Sequence, residues 1–200
     1  SRGLGDVYKR QENATALNLQ GFVDSVKANG GYYIARYEAS YGTDGKANSK
    51  VSDAATWAAP TEEGVLWNDV SQIAAKEASV NLYSTVTSDL MNSYAWDTAI
   101  VYIQNFSGDA DYSKQNGRSI NTALTNTGAN SDEKCKINDM ASNNLELTTE
   151  YCTYVDSGIN YPCTCRGGIY NNYSVFTDFR THIINKSDDH ILSFRSTLYM

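Results

Sequence analysis

The run Ile137-Asn138-Asp139-Met140-Ala141-Ser142-Asn143-Asn144-Leu145-Glu146-Leu147-Thr148 is the stretch on which the fold reading turns. With Thr149 it reads as a short compact element between two regions of different character. On its N-terminal side, residues 105–132 are rich in Gly, Asn and Ser and read as one irregular segment. Compact domains rarely tolerate more than roughly 12 to 15 residues without structure of their own, so this segment is either functional or held by something else. On the other side, residues 165–200 read as several short strands joined by polar loops.

Further upstream the patterns change again. Residues 13–26 place Leu17, Phe22 and Val26 near helical spacing, with Asn13 or Thr15 as the cap. After Gly30-Gly31, residues 32–39 alternate Tyr33, Ala35 and Tyr37 against Tyr32, Ile34 and Arg36, the pattern of a strand with two differently used faces. Residues 41–55 are polar and contain glycine, as in a surface loop or hairpin tip. From Thr61, the steps of three and four through Val65, Trp67, Val70, Ile73, Ala74 and Ala78 predict a helix whose first turn carries Glu62 and Glu63. A second helix is predicted from Thr87 or Ser88 through Ile103, ending before Gly108. Helices and short strands mixed in this order predict an α+β fold. No tandem repeat or low-complexity linker interrupts residues 12–200.

The chain has 200 residues, which suits one domain with a real core. Its 41% hydrophobic and 20% charged content marks a folded chain, and no run approaches the ~18 apolar residues of a membrane helix. Sixteen basic against 23 acidic side chains leave a net charge of -7, which repels phosphate backbones and argues against nucleic acid as a partner. Fifteen Tyr against two Pro, with abundant Asn and Ser, resemble the composition of a recognition surface.

Asp6 to Gln11 back-translate to GAT GTG TAT AAG AGA CAG, which looks like a transposon end used to tag DNA fragments for sequencing. Residues 1–11 are therefore expected to be a translated adapter, as in a metagenome gene fragment, and the start of the chain carries no information on targeting.

Several segments, in order, resemble one superfamily, the formylglycine-generating (sulfatase-modifying factor) domain with a C-type-lectin-like fold. Tyr33-Ile34-Ala35-Arg36-Tyr37-Glu38 is similar to its opening YxIxxYE strand. The region of Trp67 and the run Tyr94-Ala95-Trp96-Asp97 resemble its W-x-x-A and EWD-like helices. Residues 137–148 follow its hydrophobic-x-D-M-x-G-N-x-W-E-W pattern, Arg166-Gly167-Gly168 its RGGS turn, and Ser193-Phe194-Arg195 with Leu198-Tyr199 its closing GFRPxLY. The resemblance covers residues 30–200, with residues 12–29 as an N-terminal segment, and implies two helices packed on short, mostly antiparallel strands. The chain departs from the pattern at Ser142 in place of Gly, Leu145 and Leu147 in place of two Trp, and Ser196 in place of Pro. The tight turn and its aromatic packing must therefore be rebuilt with smaller side chains.

Members that oxidise cysteine to formylglycine use two cysteines after the RGG turn, where a low-pKa thiolate binds copper or reacts. Here Cys163 and Cys165 precede the turn and none follows Arg166, so the resemblance implies no catalytic residues; the alternative is a formylglycine-generating-type oxidoreductase with Cys163 and Cys165 rearranged into that role. His182 and His190 lack metal-ligand spacing and read as solvent-facing. Neither a G-x-S-x-G elbow nor a phosphate loop is present. Carboxylate pairs such as Glu62-Glu63, Asp132-Glu133 and Asp188-Asp189 sit in hydrophilic runs and read as solvated faces. Asp139, Asn143 and Glu146 are candidate oxygen ligands for Ca²⁺, which members of the superfamily often bind, against a Glu146 hydrogen-bonded to the loop. The four cysteines allow three pairings, and either bridges stapling the 105–165 region or four thiols fit the sequence.

Between the RGG turn and Phe194 lies IYNNYSVFTDFRTHIINKSDDHILS, whose large side chains follow no clean period of two and so cannot all be buried on one face. In one branch of the superfamily, diversity-generating retroelements rewrite this region by mutating template adenines. Codons AAC and AAT can thereby reach fifteen residue types but not Lys, Glu, Gln, Met or Trp. Within residues 169–193 only Lys186 belongs to the unreachable set, against roughly one residue in seven over 12–168. The predicted contact residues are Tyr170, Asn171, Tyr173, Phe176, Asp178, Phe179, Arg180, His182, Asp188, Asp189 and His190. Arg166, Gly167, Gly168, Phe194 and Arg195 are assigned to the scaffold, with the two arginines pairing with carboxylates such as Asp139 or Glu146. The expectation is a non-catalytic domain of a phage virion or bacterial surface protein, binding a protein or glycan on a host or neighbouring cell through residues 169–193. It carries no nucleic acid, membrane or cofactor role beyond the Ca²⁺ candidate, and leaves the oligomeric state open.

Overall fold

In a computed structural model, residues 19–129, 131–184 and 190–200 are described, so the adapter-like residues 1–11 and the predicted contacts Asp188 and Asp189 lie outside them. The architecture is α+β. In chain order the elements are α1 (Leu19–Asn29), β1 (Tyr33–Ile34), β2 (Ser40–Tyr41), β3 (Ala47–Asn48), α2 (Gln72–Ser79), β4 (Thr87–Leu90) and α3 (Ser93–Phe106). A 3-10 turn at Tyr112–Lys114 and the short α4 (Gly117–Ile120) follow. The chain closes with β5 (Leu145–Asp156), β6 (Ile159–Arg166), β7 (Arg180–Ile183), β8 (Leu192–Phe194) and β9 (Ser196–Tyr199). The strands form a three-stranded sheet ordered β1-β9-β4, the β2-β3 hairpin, and a four-stranded sheet ordered β7-β6-β5-β8. All pairings are antiparallel except β5 with β8.

Three expectations are corrected at the level of local structure. The helix predicted from Thr61 begins only at Gln72, with the Ser71 side chain capping Ala74 N–H. Gly64 and Asp69 have positive φ, and Val65 and Leu66 bridge to Ala54 and Ser40. Burial alternates there, with Leu66, Asn68 and Val70 inside, so the apolar spacing belongs to extended chain. The helix predicted from Thr87 is preceded by β4, whose four residues pair with Ser196–Tyr199; Asn92 then caps α3 through Ala95 N–H. The strand predicted over 32–39 is regular only at Tyr33–Ile34, although Ala35 N–H and Ala39 N–H still donate to Ser196 and Phe194 carbonyls. Within the described residues the first helix runs from Leu19 to Asn29 and buries Phe22, its predicted start and the cap candidates Asn13 and Thr15 lying outside them, while the hairpin at 40–48 and the end of α3 at Phe106 agree with the sequence reading.

The core has two main parts. One joins Phe22, Met91, Ala95, Trp96, Ile100, Ile103, Tyr112 and Met140 beneath α1 and α3. The other joins Val70, Ala75, Leu90, Leu147, Cys163 and Phe194 between α2 and the sheets. Leu147 fills space where the resemblance has Trp, and Leu145 lies with Cys165, Ile169 and Leu192 in a third cluster. Ser142 needs no glycine geometry, because the left-handed turns of this stretch fall at Asp139 and Asn143, with φ of 65° and 66°.

Arg195 sits between β8 and β9, where the chain passes from one sheet to the other. It is fully buried. Its Nε donates to Glu146 Oε2 at 2.7 Å and its Nη2 to Glu146 Oε1, while Nη1 donates to Ala35 O at 3.0 Å and Nη2 to Asn138 O at 2.8 Å. This bidentate pair therefore holds three chain segments at once. Burial opposes the guanidinium charge, but Glu146, Glu38 and Asp139 outweigh it and hold Arg195 more firmly protonated. Burial, with Asp139 and Glu146 nearby, pushes the Glu38 carboxyl well above the usual range. Glu38 accepts hydrogen bonds from Asn143 Nδ2 at 2.5 Å and Asn144 N–H at 3.0 Å.

Of the two arginines expected to pair with carboxylates such as Asp139 or Glu146, Arg195 pairs with Glu146, whereas Arg166 pairs with Asp97 on α3 at 2.5 Å. The glycines of the RGG turn play different parts. Gly167 has a φ of +94°, whereas a Cβ on Gly168 would lie 1.9 Å from Ala141 O, so only Gly allows that approach.

Removing one member of the buried pair should cost about 3 to 5 kcal/mol, because the other charge is left without its partner. Arg195→Met is therefore expected to lower the urea midpoint sharply. A second expectation concerns Asp132, which accepts from Tyr112 O–H and Ala141 N–H and whose carboxyl burial raises to about 7. The folded protein then holds that proton more tightly than the unfolded chain, so stability is fully present below the unfolded value near 4 and is lost as pH rises through about 7. Melting temperatures measured from pH 4 to 8 should fall across that window, and Asp132→Asn should flatten the slope.

Candidate binding surface

The segment after the RGG turn is fastened by its main chain. Tyr170 N–H donates to Asn143 O at 2.9 Å, Asn171 N–H to Asn121 O at 3.1 Å, Thr177 N–H to Gln115 O at 2.8 Å and Asp178 N–H to Ser113 O at 3.1 Å. In return Arg118 N–H donates to Asn172 O at 3.3 Å, and Asn116 forms an antiparallel bridge with Phe176. The partners lie mainly in residues 112–121, part of the long irregular segment, which therefore acts as the cradle for the chain at 170–178. Ile169 and Thr177 point inward and are buried. Thr177 Oγ1 adds a hydrogen bond to Gln115 O at 3.2 Å.

The predicted contact side chains are not in the interior. Asn171, Tyr173, Phe176, Asp178, Arg180, His182 and His190 are exposed, and Tyr170 and Phe179 are half-buried. Tyr173 is 65% exposed, with the Arg118 guanidinium 5.2 Å from its ring centroid. Phe179 and Tyr170 pack at the edge of the cluster formed by Leu145, Cys165, Ile169 and Leu192. Arg180 is partly structural, since its Nη2 lies 3.5 Å from Glu150 Oε1 and 3.7 Å from Asp97 Oδ2.

Neighbours that the sequence did not single out complete the surface. Trp57 is 54% exposed and makes edge contacts with Tyr170, centroids 5.5 Å apart, and with His190 at 4.9 Å. His182 packs against Tyr154 at 4.2 Å, and Tyr154 against Tyr161 at 5.8 Å on the β5–β6 hairpin. Nothing in the local pattern around Trp57 or Tyr154 marks either residue, because each reaches the surface through contacts distant in sequence. The two histidines are thus separated onto different aromatic neighbours.

Chemistry at the alternative sites is opposed by geometry. Cys163 and Cys165 are buried in β6, and burial pushes the Cys163 thiol up to about 12, away from a reactive thiolate. Both oxygens of Glu146 face Arg195, Asn143 Oδ1 accepts Thr125 N–H at 3.1 Å and Asp139 Oδ2 accepts Gly128 N–H at 2.6 Å. A guanidinium occupies the place a Ca²⁺ ion would need, so these three residues do not fit the ion. All four cysteines are free thiols, and no bridge staples residues 105–165. Among the described residues no helix is long and apolar enough to cross a membrane.

Comparisons with protein-family models, curated proteins and solved structures find no match to this chain.

Thiol burial can be checked directly. Cys135 and Cys152, which are partly exposed, should react with a chromogenic disulfide in the native protein, whereas Cys163 and Cys165 should react only after denaturant is added.

Proposed function

We propose that the chain is a non-catalytic binding domain of the C-type-lectin-like, formylglycine-generating-enzyme-like fold, displaying a variable surface at residues 169–193. The observation that carries this reading is the separation of roles between main chain and side chain from Tyr170 to Asp178: backbone hydrogen bonds fasten the segment while Asn171, Tyr173, Phe176 and Asp178 project outward. A surface held this way accepts new side chains without new anchors. Aromatic and Asn/Asp side chains mixed on such a face supply contact area and adaptable hydrogen bonding.

The depletion of residue types that adenine mutagenesis cannot reach supports a diversity-generating retroelement as the source of the variety. The reading places the domain on a phage virion or bacterial surface, with a ligand on a host or neighbouring cell. The buried thiols and the Arg195 guanidinium favour display over oxidation of cysteine.

Two measurements test it. Joint replacement of Tyr173, Phe176, Asp178, His182 and His190 by Ala is expected to keep the melting temperature within about 5 °C, as for exposed positions. Trp96→Ala, in the core, should cost about 3 to 5 kcal/mol. Equal destabilisation by the two would refute the division. DNA flanking the gene should hold a near-copy of the final codons with adenines at the differing positions, beside a reverse transcriptase.

A further inference from the structure

The four-stranded sheet ends on β7, the strand that carries two of the contact residues. Its register with β6 pairs Cys163 with Ile183, Thr164 with His182, Cys165 with Thr181 and Arg166 with Arg180. Beyond β7, Gly167 N–H donates to Phe179 O at 3.2 Å, which identifies Gly167 and Phe179 as a hydrogen-bonded pair. Antiparallel ladders alternate hydrogen-bonded and non-hydrogen-bonded pairs. Cys165 with Thr181 and Cys163 with Ile183 are then the bonded pairs. It follows that the N–H and C=O groups of Arg180 and His182 point away from β6, toward an edge on which no described strand pairs. Among the described residues none hydrogen-bonds to those four groups. An open edge of this kind is a template for another strand.

The side chains at the same positions suit a polypeptide. Arg180 and His182 lie on one face, where His182 continues into Tyr154 and Tyr161. Thr181 and Ile183 lie on the other, where half-buried Ile183 packs beside the cluster that includes Phe179 and Val175. A strand laid along β7 would have its alternate side chains beside Ile183 and beside His182. Two donors and two acceptors spaced by the strand repeat match a peptide backbone, whereas sugar hydroxyls have no such fixed alternation.

We propose that the ligand is a polypeptide segment that docks in extended form on the open edge of β7, pairing with the main chain of Arg180 and His182 and read by their side chains. This rests on the display reading above and assigns it a ligand class and a geometry. Apolar residues in the ligand alternate with polar ones, the apolar set lying beside Ile183.

The full chain is panned against a phage-displayed library of random linear peptides and, in parallel, applied to a glycan array. Enrichment of peptides with alternating apolar residues is expected. On binding, the amides of Arg180 and His182 should become slow to exchange, while those of Thr181 and Ile183 are slow already. His182→Pro removes an outward N–H without touching the β6 ladder, a position where edge strands accept proline. It should weaken the selected peptide about tenfold or more, the worth of one or two main-chain hydrogen bonds, whereas His182→Ala should weaken it less. N-methylation of alternate peptide residues gives the same test on the unaltered protein. The proposal is overturned if no peptide is enriched, if only glycans bind, or if binding withstands both His182→Pro and N-methylation. Binding that withstands those changes but is lost in Tyr173→Ala sinks the edge docking and leaves the display surface standing; binding indifferent to all of them sinks both.

Discussion

One guanidinium holds this fold together. Arg195 lies at the point where the chain leaves the four-stranded sheet for the three-stranded one, and it reaches Glu146, Ala35 and Asn138 from there. It meets β5, the opening segment and the turn before Asn143 at once, beside the direct bond from Asn138 N–H to Arg36 O. A buried ion pair is a weak source of net stability, since desolvation consumes much of its attraction. Its value here is registration: five donors of fixed geometry accept only one arrangement of the segments around them. Glu38, whose carboxyl burial and acidic neighbours push well above the usual range, completes the arrangement by accepting from Asn143 and Asn144.

The second level of organisation follows from the first. Once residues 138–146 are fixed, Asn143 O can receive Tyr170 N–H, and the RGG turn can approach Ala141 closely through Gly168. The irregular chain at 112–121 then lies along residues 170–178 and supplies carbonyls and a short bridge. A region with little regular structure thus has a definite mechanical role. Tyr112, buried and bonded to Asp132 at 2.9 Å, fastens that region to the core.

How far this is legible in the sequence depends on residue chemistry. Glu146, Phe194, Arg195 and the RGG turn stand out because their combination is rare and each type has few structural uses; that the arginines seek carboxylates is legible from it, and Arg195 finds Glu146. Seven of the predicted contacts within the described residues are exposed and Tyr170 and Phe179 are half-buried, since a Tyr- and Asn-rich run without a clean period cannot be buried on one face. The helix expected from Thr61 forms only from Gln72, where Ile73 and Ala78 are helical; before it, Val65 and Val70 mimic a helical spacing while Asn68, polar and buried, carries the real period of two. Arg166 finds a different carboxylate from the expected ones because Asp97 approaches it from α3, a juxtaposition no local pattern encodes. Trp57 and Tyr154 escape a sequence reading for the same reason.

The anchoring of residues 170–178 also limits what evolution can write there. Each of the amides at Tyr170, Asn171, Thr177 and Asp178 is spent on a carbonyl of the supporting chain. An imino acid at any of them would forfeit that bond and set a ring against its acceptor. Under the proposed adenine mutagenesis, an Asn codon reaches Tyr or His by one change and Pro by two, and the Pro variants would be lost at folding before any target was met. Residue 171, held at a φ of 55°, is stricter still and favours Asn, Asp or Gly over branched side chains. The repertoire of the proposed display surface is therefore smaller than its codons would suggest, and the backbone draws the boundary.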